Sequence, residues 1–345
     1  MRVGIMTGGG DCPGLNAVIR AVVRKSEYVF GHELLGFING WDGVISGEHV
    51  VVDVERMRGT LPRGGTVLGS SRTVPEFYSS GMDKATETLE RLDVSALIVI
   101  GGDGTLHAAH ALSERGVGVV GVPKTIDNDI PGTEYTFGFN TAVQVAADAI
   151  DRLHSTAESH NRVMVVEVMG RHTGHVAVHA GLASGATLIL TPEHPFDIDD
   201  ICDRLMRRHE MNRYASIIVV AEGAYPADDT SFELPDQGKD MWGHRRIGGL
   251  AHLVGAAIED RTGFEARVTV LGHVQRGGKP TAFDRVLSTR LGIAAIDAVQ
   301  EGSFGQMVAL YNDEIVLVDL ADVVGRVREC PPSLYHGVAS WFFAR

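Results

Sequence analysis

Short apolar runs, each too brief for a helix, alternate with longer stretches of helical period almost from end to end of this chain. The candidate strands are Val3–Met6, Leu34–Ile38, Ala96–Ile100, Val117–Val122, Val163–Val168, Thr187–Leu190, Ser216–Ala221, Arg267–Leu271 and Val308–Leu310. Between them, helical periodicity runs over Leu15–Tyr28, Lys84–Leu92, Leu106–Glu114, Thr141–Ala157, His175–Ala183, Ile198–Arg208, Ile247–Thr262 and Phe283–Gln300. Strands apolar on both faces, each followed by a helix, predict an α/β fold with mainly parallel sheets. At ~100–200 residues per domain, a chain of 345 residues predicts two such sheets, with the crossing near Gly138–Asn140. The polar stretch Tyr225–Gly249 breaks the rhythm and reads as a surface insertion. The aromatic tail Trp341-Phe342-Phe343 reads either as a docked terminus or as an oligomer contact.

Glycine is in excess, 42 residues, without a collagen period or the Ser and Pro of a linker, which assigns it to turns and close-approach loops. Lys and Arg number 31 against 44 Asp and Glu, a net charge of −13. Such a surface is a poor one for nucleic acid, so an anionic ligand must be met by locally gathered cations. Cys12, Cys202 and Cys330 are far apart and cannot build a disulfide framework or a zinc cage, which suits a reducing cytoplasm. The amino-terminal run has no signal-peptide pattern, and no apolar run reaches the ~18 residues of a membrane span.

Three loops concentrate the chemistry. Thr7-Gly8-Gly9-Gly10-Asp11-Cys12-Pro13-Gly14 lies between a strand and a helix, where glycine lets backbone N–H groups approach phosphate. Its spacing is neither the dinucleotide GxGxxG nor a Walker loop, and a tight strand-to-helix turn also calls for glycine. Gly101-Gly102-Asp103-Gly104-Thr105 follows Ala96–Ile100, at the strand end where open α/β sheets bind ligands. Asp103 is the right hard oxygen ligand for magnesium on phosphates, and Thr105 is a candidate cap for the next helix. Pro123-Lys124-Thr125-Ile126-Asp127-Asn128-Asp129 is the third. If extended, it puts Asp127 and Asp129 on one side and Ile126 and Asn128 on the other, with one carboxylate free to accept a hydroxyl proton. Lys124 is placed to neutralise a transferred phosphoryl group, although an Asx-rich turn would also use Asn128 and Asp129.

These segments together resemble the phosphofructokinases. GGDGT alone is shared with NAD kinases and lipid kinases. The GGGDCPGLNA start, PKTIDND, Arg63-Gly64-Gly65-Thr66 with Gly69-Ser70-Ser71-Arg72, Val168-Met169-Gly170-Arg171 and Leu271-Gly272-His273-Val274-Gln275-Arg276-Gly277-Gly278 narrow it, in order, from Val3 to about Gly302. The resemblance implies two similar Rossmann-like α/β lobes with the active site between them. Residues 1–140 with about 278–302 would form the nucleotide lobe, and 141–277 with about 303–345 the fructose 6-phosphate lobe. By motif position, Gly9, Gly10, Arg72, Thr73 and Gly102 through Thr105, Gly104 included, would hold the nucleotide, with Asp103 on Mg2+. Asp127 would be the base for the sugar 1-hydroxyl, and Thr125, Lys124, Asp129 and Arg171 would surround the transferring phosphoryl group. Arg162, Met169, Gly170, Arg171, Glu222, Arg267, His273 and Arg276 would hold the sugar phosphate together with Thr125 and Asp127.

In relatives, the arginines matching Arg162 and Arg267 come from a neighbouring subunit, so a homo-oligomer, dimer or tetramer, is expected. The phosphoryl donor divides the family. Gly104 stands where pyrophosphate users carry a second Asp, while Lys124 stands where short ATP-dependent bacterial enzymes have Gly. The combination resembles the mixed-substrate group III, and ATP is the expected donor, with pyrophosphate the alternative. A NAD kinase-like enzyme and a catalytically silent nucleotide sensor are the remaining readings. Neither nucleic acid nor membrane is expected as a partner.

Overall fold

Each of those apolar runs becomes a strand in the computed structural model, which describes residues 1–75, 80–228, 232, 238 and 248–343. The strands are β1 (Arg2–Thr7), β2 (Glu33–Phe37), β3 (His49–Val51), β4 (Ala96–Gly101), β5 (Val119–Thr125), β6 (Phe137–Gly138), β7 (Val163–Val168), β8 (Leu188–Leu190), β9 (Ser216–Ala221), β10 (Ala266–Val270), β11 (Gln306–Tyr311) and β12 (Glu314–Asp319). They divide between two units, 1–141 with 276–327 and 142–275 with 328–345.

The first unit holds an eight-stranded sheet in the order β12-β11-β5-β4-β1-β2-β3, with β6 beside β5. Its centre is parallel, and β3 and β12 close the two edges antiparallel. Every residue of β4 is buried, as expected of a central parallel strand with helices on both faces. The core on one face packs Met6, Phe37, Trp41, Leu97, Val99 and Leu106. The second unit holds the four-stranded parallel sheet β10-β7-β9-β8, in which β7 and β9 are buried throughout. The chain leaves the first unit inside the helix Phe139–His160.

The structure departs from expectation at 303–327, which the family resemblance places in the second lobe and the structure in the first unit. β11 extends the first sheet beside β5, and β12 folds back on it. The turn is Asn312-Asp313, with φ of 49° and 62°, the two-residue geometry that matches the twist of paired strands. The half-exposed pattern of β12 hid it among surface residues.

Most of the polar stretch 225–249 lies outside the described residues. Its two ends are anchored, by Phe196 N–H donating to Tyr225 O at 3.1 Å and by Gly249 N–H donating to Glu167 Oε1 at 3.0 Å. At the tail, Phe343 is buried and packs edge-on against Tyr335, while Trp341 and Phe342 are exposed. No helix among the described residues is long and apolar enough to cross a membrane.

Candidate active site

In the first unit, the loops after β1, β4 and β5 open onto one cavity at the carboxyl ends of adjacent parallel strands. Its walls are Gly9 and Gly10, Arg72 and Thr73, Gly102 through Thr105, Lys124 and Thr125, with Val74 and Arg276. At about 200 Å³, it admits a phosphate-sized group.

The glycines here do two different jobs. A Cβ on Gly8 or Gly101 would lie 2.8 and 2.3 Å from Thr105, whose buried side chain locks the first loop to the second. Thr105 therefore packs and does not cap. The helix Asp103–Ser113 has Gly102 at its N-cap and no side-chain cap, contrary to the expectation for Thr105. Gly104 differs. A Cβ there would meet only Val74 Cγ2, at 3.9 Å, so nothing in the protein requires glycine, and the missing side chain leaves room in the cavity.

Lys124 is buried, and its Nζ donates to Gly10 O, tying the end of β5 to the first loop. Burial pushes its ammonium down to about 8; Arg276 adds to that, while Asp11 and Asp127 oppose it. Arg276 also reaches the first loop, donating from Nη1 to Asp11 O at 3.3 Å. Burial pushes the neighbouring Cys12 thiol up to about 12, so that residue is packing and not a nucleophile.

The segment after Thr125 is not extended. Asn128 has φ of 54°, and its Oδ1 accepts from Thr136 N at 2.9 Å, so a left-handed residue is held by a local turn. The predicted sidedness survives in a different form. Ile126 and Asn128 are buried, while Asp127 and Asp129 are half-buried, because Asn128 takes the inward position. Asp127 N–H donates to Thr125 Oγ1 at 3.0 Å. Burial, then the charge of Asp127, pushes the Asp129 carboxyl up to about 6, and a hydrogen bond from Thr125 opposes the shift. Asp103 is exposed in the first turn of its helix, with Oδ1 accepting from Gly325 N at 3.3 Å. An accessible carboxylate beside a phosphate-sized cavity fits magnesium, which is commonly held by one or two carboxylates with phosphates and water completing the shell.

In the second unit, Met169, Gly170 and Arg171 follow β7, Glu222 follows β9 and His273 follows β10. These meet at the carboxyl end of the sheet. Glu222 N donates to Val168 O at 2.9 Å, and Gly223 N to Gly170 O at 3.1 Å. Gln275, which lies within the Leu271–Gly278 motif but has no role assigned by it, accepts from Met169 N at 3.3 Å. Arg162 and Arg267 are elsewhere. Arg162 precedes β7, Arg267 is the second residue of β10, and Val163 pairs with Ala266. Six residues of β7 at ~3.3 Å each put roughly 20 Å between the strand ends. Both arginines are bound to one carboxylate, Glu265: Arg162 Nε at 2.6 Å to Oε2, and Arg267 Nη2 to Oε1.

Glycine loops and a buried lysine at the ends of parallel strands, with a carboxylate pair on the same loop as the lysine, define an α/β phosphate-binding protein of the phosphoryl-transfer class. Comparison with known proteins narrows the class. Residues 2–299 match the family described as phosphofructokinase. The pyrophosphate–fructose 6-phosphate 1-phosphotransferase of Streptomyces coelicolor is 54% identical over 99% of this chain and 100% of its own length. ATP-dependent 6-phosphofructokinase 3 of the same organism is 50% identical over 97% of this chain and 98% of its own. Among solved structures, the phosphofructokinase of Pichia pastoris in the T-state aligns with a TM-score of 0.82 and 32% identity over 93% of this chain, which spans 35% of that longer one. The chain belongs to the phosphofructokinase family.

Proposed function

We propose that the chain transfers the terminal phosphoryl group of ATP to the 1-hydroxyl of fructose 6-phosphate, giving fructose 1,6-bisphosphate and ADP. Relatives of both donor types are about equally similar, so the donor must be argued from the site. Gly104 carries the choice. Its position is open and tolerant of a side chain, so glycine there keeps the cavity clear for the α-phosphate, where an Asp would crowd and repel it. Lys124 supports the rival reading, pyrophosphate, because it stands where short ATP-dependent bacterial enzymes have Gly. Steady-state rates with each donor, read as fructose 1,6-bisphosphate formed, test the choice; comparable turnover with pyrophosphate overturns it.

In this reading Asp127 accepts the proton of the 1-hydroxyl. Thr125 and Asp129 flank the phosphoryl group, and Asp129 also holds Asp127 in register through their shared neighbour Thr125. Lys124 and Arg171 offset charge on the equatorial oxygens, and positioning contributes more than basicity. Gly9, Gly10, Arg72, Thr73, Gly102 and Thr105 cradle the donor. Mg2+, bound through Asp103, would neutralise the donor phosphates. Met169, Gly170, Arg171, Glu222, His273 and Arg276 hold the sugar phosphate, its 6-phosphate suited to bidentate guanidinium forks. The strand-length separation of Arg162 and Arg267 from that set supports an oligomer in which those two serve a second copy's sugar phosphate. Three free, buried cysteines support a reducing cytoplasm.

A further inference from the structure

The loop that carries Arg171 is short and held at both ends. At its start, Gly170 has φ of 138°, and a Cβ there would lie 2.6 Å from Thr173 O. Gly223 presses against it so closely that a Cβ on Gly223 would sit 2.0 Å from Arg171 O. That side is set by backbone packing. The far end is set by a side chain. Gly174 N–H donates to both carboxylate oxygens of Glu193, each at 2.9 Å.

Glu193 stands on a tight turn after β8, in which His194 N–H donates to Thr191 O at 3.4 Å. The turn abuts the loop, since a Cβ on Gly174 would lie 2.5 Å from Thr191. The carboxyl-terminal segment holds Glu193 from the other side. Cys330 N–H donates to Oε1 at 3.0 Å, and His175 Nε2, next to Gly174, donates to Arg328 O at 3.1 Å. Tyr335 completes the anchorage, stacked on His194 at 4.0 Å with its hydroxyl donating to Ile189 O at 3.1 Å.

We infer that Glu193 is a positioning residue for Arg171. Its carboxylate, braced by the carboxyl-terminal segment, fixes Gly174 and so the reach of the guanidinium three residues earlier. The inference rests on the proposed role of Arg171 at the transferring phosphoryl group. The competing account is that Glu193 merely caps the helix His175–Ala183. A cap affects folding and is indifferent to what stands at 171, whereas a positioning residue acts only through Arg171.

A double-mutant cycle separates the two. Glu193→Ala should lower kcat roughly 30-fold, since a misplacement of about 1 Å can cost ~100-fold, and leave KM for the donor within about 2-fold. Glu193→Gln keeps one oxygen for Gly174 N–H and should recover to within about 3-fold. In an Arg171→Ala background, Glu193→Ala should cost less than about 2-fold more. Should Glu193→Ala not fold, Glu193→Asp, which withdraws the carboxylate by one methylene, carries the same comparison at about 10-fold. Unchanged kcat on substitution of Glu193, or an equal loss in both backgrounds, overturns the inference while the role of Arg171 stands. Full turnover in Arg171→Ala alone overturns that role and the inference with it.

Discussion

The loops of the first unit and the charged residues of the second solve the problem of holding a polyanion differently. In the eight-stranded sheet, β1, β4 and β5 are neighbours, so their following loops converge at one end and backbone, Lys124 and Arg276 line one cavity. In the four-stranded sheet the candidate sugar-phosphate residues divide. Met169, Gly170, Arg171, Glu222 and His273 gather at the carboxyl end, while Arg162 and Arg267 sit at the amino end, both paired with Glu265. A backbone cradle can be complete within one chain. In the proposed reaction, a side-chain cradle split across a strand's length would be completed by a second copy.

The largest effect expected is at the first unit's third loop. Asp127→Ser should lower kcat about 1,000-fold, within the range for loss of a general base, with KM for fructose 6-phosphate changed no more than a few-fold. Near-normal turnover would remove Asp127 from its role.

Next comes the split itself. Arg162→Ala should raise KM for fructose 6-phosphate about 50-fold, and mixing it with the Asp127→Ser protein under subunit exchange should restore, at low fructose 6-phosphate, a rate that neither reaches alone. Each hybrid would hold one site with both residues intact. If mixing restores nothing, although hybrids are demonstrated, both ends of the sheet serve the same chain and the comparison collapses.

Gly104→Asp sharpens the donor assignment. It should depress kcat/KM for ATP about 100-fold and any pyrophosphate activity much less, the difference measuring like-charge repulsion at the α-phosphate. Equal losses with both donors would point to a damaged helix start.

The smallest effect is on pH. The raised Asp129 carboxyl takes up its proton as pH falls through about 6, removing negative charge from beside Asp127. The depressed Lys124 ammonium loses its proton as pH rises through about 8, removing positive charge from the cavity. The profile of kcat/KM should therefore fall on both sides of a plateau between roughly 6 and 8. Lys124→Met should lower the plateau and abolish the basic limb; a basic limb unchanged in that variant would assign it to another group.

Nine strands were legible as apolar runs, because a parallel strand covered on both faces cannot be polar on either. The three that were not are β3, β6 and β12, which are short or lie at an edge with only half their residues covered. For β12 a signal existed in Asn312-Asp313, a pair suited to positive φ between two β-branched or aromatic runs. The Gly loops and the TIDND segment stood out because glycine and carboxylates gather there at strand ends, where open α/β sheets bind ligands, and the same residues would also serve tight turns. The extended shape assumed for 126–129 was not, since the turn at Asn128 depends on Thr136.

Local order along the chain was enough for the α/β class, the loops at strand ends and the chemical character of the cavity, because periodicity, glycine spacing and carboxylate density act over a few residues. Residues whose task is to hold another residue stayed silent. Glu265 lies 103 positions from Arg162, Gln275 lies 106 from Met169, and Glu193 lies 137 from Cys330. A glutamate in a polar turn looks the same whether it is solvated or grips a distant N–H. What distinguishes the two is which strands the sheet makes neighbours and which ends it brings level, and that is settled by packing long stretches of chain against one another.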